Sequence, residues 1–215
     1  QAVDPARYAR DFFPGDAEPA TAMQPPSVWG YAAPPAQRRR DPEQARALWG
    51  ECLARQPAPP AEISLYVPPV PRTYLPDPAG LGAAVKSPDW TTAWLPEVQA
   101  GRADLFLLGW AGLNGDPDAY LCPLFCGADA AFNSDRAGQP LPADEALAGL
   151  LREAQAATDP AQRAQLYMRA HTLIFQSLPA LPLTYRRSAW AFRSDLLGTT
   201  PSPIDNVFFN LDWGN

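Results

Sequence analysis

The sequence predicts an α/β fold in which helices flank a mixed sheet, and three features carry that expectation. The run from Asp104 to Trp110, Asp-Leu-Phe-Leu-Leu-Gly-Trp, is apolar without alternation and bounded by turn residues. That suits a strand covered on both faces in a parallel or mixed sheet. Two segments with helical apolar spacing meet at the turn Ala157-Thr158-Asp159-Pro160. Finally, 47% hydrophobic and 11% aromatic residues over 215 positions are enough to bury a core.

Composition excludes several function classes. Seventeen Lys and Arg against 23 Asp and Glu give a net charge of −6, so no broad basic surface exists for a nucleic-acid backbone and no nucleic-acid partner is expected. No window approaches the roughly 18 uninterrupted apolar residues of a spanning helix, and a membrane-spanning chain is not expected. The 27 prolines exceed ordinary usage of about 5% more than twofold, which limits long helices. Three cysteines and one histidine are too few for a zinc site or a disulfide scaffold, and neither metal nor cofactor is expected. Gln1 is not an initiator and Gln1 to Ala9 carries no secretion signal, so the start reads as a processed or cut end.

In chain order, Pro14 to Pro35 is rich in Pro, Ala and Gly and reads as an irregular segment wrapping a surface. Asp41-Pro42-Glu43-Gln44 supplies an N-cap, a first-turn proline and a capping Gln. Ala45, Leu48, Trp49 and Cys52 then recur at helical spacing, which predicts a helix over 42–54. Ile63 to Val67 is a short β-prone run ended by prolines. A short helix is expected from Thr91 to Ala100, with Pro96 tolerated only in a first turn and Gly101 as the C-terminal cap. The strand at 104–110 follows. A helix over 143–157 carries Leu147, Leu150 and Leu151, and Asp159-Pro160 opens another whose apolar face includes Leu166, Tyr167, Ala170, Leu173 and Ile174. Leu181 to Phe192 is strand-like, and the tail to Asn215 reads as irregular.

Among residues able to carry chemistry, Asn114-Gly115-Asp116-Pro117-Asp118 begins with the spacing of a calcium loop, but no bidentate Glu follows. A structural turn is expected there, its carboxylates capping backbone N–H groups. Its place after a central strand is where open α/β sheets put their ligands. His171 lies beside an apolar stripe and reads as structural. Arg38-Arg39-Arg40 reads as a solvated loop, and Cys122 and Cys126 suit a disulfide or free thiols equally. Arg72 stands in the proline-stiffened stretch Val67-Pro-Pro-Val-Pro-Arg-Thr-Tyr-Leu-Pro76, where a guanidinium can be held rigidly for a carboxylate or form a surface salt bridge. Trp29, Trp90, Trp94 and Trp110 suit an aromatic-lined cleft or ordinary core.

Several of these segments occur in one order: Trp29-Gly30-Tyr31; Asp41 to Leu48; Pro71-Arg72-Thr73-Tyr74-Leu75-Pro76; Leu107-Leu108-Gly109-Trp110 running into Asn114 to Asp118; and Ala157-Thr158-Asp159-Pro160 with Arg163 and Leu166-Tyr167. As an ordered set the chain resembles the peptide/nickel class of extracytoplasmic solute-binding proteins of ABC importers, nearest the dipeptide- and oligopeptide-binding branch. The resemblance implies a type II periplasmic-binding-protein-like lobe. It implies the second, C-terminal lobe over 1–184, the first lobe absent, and a segment over 185–215 that returns to that first lobe. Gln1 to Arg7 then corresponds to the interior of a family helix. Around Pro78 to Lys86 the family's helix and strand are shortened, or residues are missing between Val85 and Lys86.

By the same resemblance Arg72 matches the arginine that holds a peptide's C-terminal carboxylate, with Tyr74 beside it. The aspartate that pairs with the peptide's ammonium falls at Leu113. A leucine cannot balance that charge, and burying it unpaired costs several kcal/mol. Trp110, Asn114 and Asp116 are expected in the cleft wall, with Asp116 able to take over the cation. The function implied is capture of a small peptide or peptide-like, carboxylate-bearing solute in the periplasm or cell envelope, for delivery to an ABC permease, with the signal peptide removed and without chemistry of its own. The alternatives are a hydrolase using Asp116 and Asp118, or a degenerate lobe acting as an interaction module.

Overall fold

A computed structural model of the chain describes residues 2–31, 40–55, 62–69, 84–112, 114–126, 142–187, 191, 193–197 and 212–213. Helix α1 (Pro5–Phe12) starts where Asp4 accepts hydrogen bonds from the N–H groups of Ala6 and Arg7, with Pro5 in the first turn. A capped start thus stands where the interior of a helix was expected. Strand β1 (Ala17–Pro19) lies within the stretch read as irregular. Three residues are too short to display a period-two pattern, and what makes them a strand is a distant partner. That partner is β5 (Thr184–Arg186), paired antiparallel with Ala17 opposite Arg186. The Arg186 guanidinium lies 4.4 Å from the Phe13 ring centroid, and Arg187 pairs with Glu18.

Helix α2 (Pro42–Ala54) has the predicted bounds, and Asp41 caps it by accepting from the Gln44 N–H at 2.9 Å. Its apolar stripe does not enter the core: Leu48 is 50% exposed and Trp49 46%. The main sheet is parallel, with β2 (Ser64–Tyr66) between β3 (Ala84–Lys86) and β4 (Leu105–Phe106). Asp104 fixes the β4 register by accepting from both the Ser64 N–H (3.0 Å) and its hydroxyl (2.7 Å). Val85 and Lys86 are consecutive residues of β3, opposite Leu65 and Tyr66. The shortened stretch before them lies in 70–83, outside the described residues. Strand β4 is shorter than predicted, and Leu105 is 53% exposed, so that side of the strand is uncovered, contrary to the sequence reading. The other face rests on Trp94 and Val98.

Between β3 and β4 the expected helix is split. Residues Trp90–Trp94 form a π-helical turn capped by Asp89, and α3 (Leu95–Gln99) follows. The cause is Pro96, which has no N–H to donate and would break a straight helix. The wider turn, with Trp94 N–H bonded to the Asp89 carbonyl at 2.7 Å, lets α3 begin with Pro96 in its first turn. Gly101 ends it at φ +67°, as predicted.

The largest core lies between α4 (Pro117–Phe125), α5 (Pro142–Ala156) and α6 (Pro160–Ser177). Leu147, Leu151, Leu166, Tyr167, Ala170 and Ile174 are buried there as the spacing required, and α4, which the sequence reading did not name, adds Leu121 and Phe125. The tail, read as irregular, holds a two-stranded antiparallel ribbon of β6 (Leu196–Leu197) and β7 (Asp212–Trp213). No helix among the described residues is long and apolar enough to cross a membrane.

Candidate functional site

The parallel strands β2 and β4 end on the same side of their sheet. Beyond β2 the chain runs through Pro68 and Pro69 into the segment containing Arg72 and Tyr74, and both residues lie outside the described ones, as does Leu113. Beyond β4, Leu107 bonds back to the Tyr66 carbonyl at 2.9 Å, and the chain then crosses to α4. Trp110 stands on this crossing, 46% exposed, with its indole N–H donating to the Ala119 carbonyl at 2.9 Å. Gly112 passes so close to α4 that a Cβ there would lie 2.2 Å from the Tyr120 ring, so no larger residue fits without a shift.

The loop Asn114 to Asp118 is the structural turn expected from its sequence. The Asn114 carboxamide oxygen accepts from the Asp116 N–H (3.0 Å), and Asp116 caps α4 by accepting from the Asp118 N–H (2.9 Å). Asp116 is also committed to Arg163 of α6, 47 residues away, through two parallel bonds of 3.0 and 3.1 Å. The same guanidinium donates to the Tyr167 hydroxyl (3.0 Å) and, from Nε, to the Ala154 carbonyl (2.9 Å). Its carbon lies 5.0 Å from the Trp29 ring centroid and 5.5 Å from that of Tyr167. Burial opposes the Arg163 charge, but the hydrogen bonds it donates to Asp116 and Tyr167, and its attraction to those two groups, outweigh that cost, and its pKa is raised. Burial is the main reason that the Tyr167 hydroxyl is pushed up to about 12.

Trp110, Asn114 and Asp116 are therefore brought together around the first turn of α4, but in different roles. Trp110 offers an open aromatic face, whereas Asp116 already holds an internal cation. Asp118 accepts from Gln155 at 3.1 Å, so each carboxylate named for acid–base work serves an internal contact. Among the described residues no group of three His, Cys, Asp or Glu side chains is placed to hold a metal ion. Cys122 and Cys126 form a disulfide in the last turns of α4. Trp94 is core, stacked on Trp90 at 4.4 Å, while Trp29 remains 40% exposed. The sequence reading missed the Asp116–Arg163 pair. Arg163 and Tyr167 share a helix face at i,i+4, but nothing local links them to Asp116.

No family model matches the chain. Di/tripeptide-binding protein 4 of Pseudomonas aeruginosa (strain UCBPP-PA14) is 33% identical over 92% of this chain and 38% of its own length. The dipeptide-binding protein of Escherichia coli (strain K12) is 26% identical over 97% of this chain and 40% of its own length. The crystal structure of a dipeptide-binding protein from Pseudoalteromonas sp. SM9913 in complex with Met-Leu superposes with a TM-score of 0.70 at 25% identity, covering 99% of this chain and 43% of that one. An ABC transporter-associated periplasmic binding protein from Helicobacter pylori, in complex with the peptide STSA, gives 0.72 at 21% identity over 100% of this chain and 42% of that one. The chain thus spans well under half the length of these proteins, and it carries the fold of one lobe of a periplasmic binding protein.

Proposed function

The chain is a relative of the dipeptide-binding branch of the ABC-importer solute-binding proteins, and from that premise we propose that it forms the ligand-binding C-terminal lobe of such a protein. It takes up a small peptide or peptide-like solute bearing a carboxylate and passes it to a membrane permease, without chemistry of its own. Residues 1–184 make the lobe, and 185–215 return toward a companion lobe. The observation that carries this reading is Trp110: a tryptophan with an open face, held by α4 at the carboxyl end of a parallel strand, where α/β sheets receive ligands. Arg72 grips the solute's carboxylate, with Tyr74 beside it. Asn114 and Asp116 shape the wall next to Trp110.

With Leu113 where a carboxylate is needed and Asp116 engaged by Arg163, a free ammonium has no assigned partner in this lobe. N-blocked solutes are therefore accepted as well as free peptides. A periplasmic or other extracytoplasmic location agrees with the disulfide Cys122–Cys126, because such bonds persist in oxidising compartments. Calorimetry on the full-length protein with di- and tripeptides, free and N-acetylated, tests the proposal. Saturable binding of at least one carboxylate-bearing member is expected, and no binding to any of them overturns it.

A further inference from the structure

Helix α4 contains a proline in its interior, Pro123, and this residue has a consequence four positions upstream. In an unbroken helix the N–H of residue 123 donates to the carbonyl of residue 119. Proline has no N–H, and its ring presses on that same carbonyl. The Ala119 oxygen is therefore released from the helix ladder. It does not go to waste, because it is the acceptor of the Trp110 indole N–H at 2.9 Å.

We propose that Pro123 is a positioning residue for the solute site: by leaving the Ala119 carbonyl unclaimed within α4, it creates the hydrogen-bond acceptor that fixes the Trp110 ring. The proposal rests on the reading of Trp110 as a wall of that site. Two contacts brace the same arrangement. Gly112 brings the crossing chain against the Tyr120 ring, and the Cys122–Cys126 disulfide ties together the turn that contains Pro123. An exposed tryptophan on an irregular segment otherwise samples several rotamers, and ordering it at the moment of binding opposes affinity. An indole tethered at its nitrogen has that freedom removed beforehand, with its face left open.

The test is Pro123→Ala in the full-length protein, which restores an N–H that competes for the Ala119 oxygen. The Trp110 indole resonance is identified as the one missing from Trp110→Phe in a nitrogen–proton NMR spectrum. In Pro123→Ala it should shift upfield and exchange faster with solvent. The thermal midpoint should stay level or rise, because alanine is a far better helix residue than proline. Affinity for a peptide that binds the wild type should fall about 3- to 10-fold, the range expected for one lost hydrogen bond. A purely structural role for Pro123 would not move the indole resonance while leaving the melting point intact. An unchanged indole resonance in the folded variant overturns the proposal, and so does a shift with no loss of affinity. Pro123→Gly restores the same N–H without the helix-favouring side chain and must move the resonance in the same direction. If no peptide binds the wild type, it is the transport reading that fails, while the indole resonance still reports on the tether.

Discussion

Arg163 shows how one side chain can settle the role of another. Both oxygens of Asp116 are occupied by its guanidinium, which also reaches Tyr167 and the Ala154 carbonyl, and that geometry needs the planar fork of arginine. Arg163→Lys keeps the charge but cannot make the paired bonds, and urea denaturation should show a loss of about 1–3 kcal/mol, the worth of charge-assisted bonds partly shielded from water. His171 is 4% exposed, and burial pushes its pKa down from 6.5 to about 4. The folded state resists protonation while the unfolded state accepts it below about pH 6.5. Stability is therefore full above about pH 6.5 and declines as pH falls toward 4, by up to about 3 kcal/mol. Urea midpoints at pH 7.5 and pH 4.5 should differ less in His171→Leu than in the wild type. The structural role of His171 and the capping role of Asp116 were legible in the sequence, since each follows from neighbours within one turn. The Arg163 contact was not, because Asp116 and Arg163 are brought within reach only by the core that α4 and α6 share with α5.

At the scale of elements, helices announced themselves better than strands. Asp41-Pro42 and Asp159-Pro160 are start signals that act over three residues, and α2 and α6 begin at those points. The strands are two or three residues long, below the length at which alternation can be read, and β1 depends wholly on β5. The split before α3 follows from Pro96 once its missing donor is counted, but sequence alone does not reveal that a wider turn absorbs it. The crossing from β4 to α4 gives a test at this scale. A methyl group at position 112 would lie 2.2 to 2.8 Å from atoms of the Tyr120 ring, whose hydroxyphenyl is packed in the core. Gly112→Ala must push the crossing off α4, and a loss of about 1–3 kcal/mol in thermal or urea unfolding is expected from such overpacking. The companion Gly149→Ala, at a helix position with open space around it, should be neutral or slightly stabilising.

On the scale of the whole molecule, the described residues form a helical core of α4, α5 and α6 and a short parallel sheet with a cluster of its own, Leu108 packing against both, and the apolar stripe of α2 and the outer side of β4 stay open. The order of short segments along the chain pointed to the right fold because each segment sits at a junction: a helix start, a strand end, a loop over α4. What that order could not deliver was the direction of side chains such as Asp116, which depends on contacts between segments far apart. In the proposed reading a companion lobe supplies the rest of the solute's contacts, so the 215 residues alone should bind far more weakly than the two-lobed protein. The capture of a solute carboxylate by Arg72 is the claim on which the functional reading stands. It is tested most directly by titrating the full-length protein with a peptide that binds it and with the C-terminal amide of the same peptide. The account predicts that the acid binds about tenfold or more tightly than the amide, and that Arg72→Ala removes the difference, as expected when one charge-assisted pair is lost. Equal affinity for acid and amide, unchanged by Arg72→Ala, would contradict it.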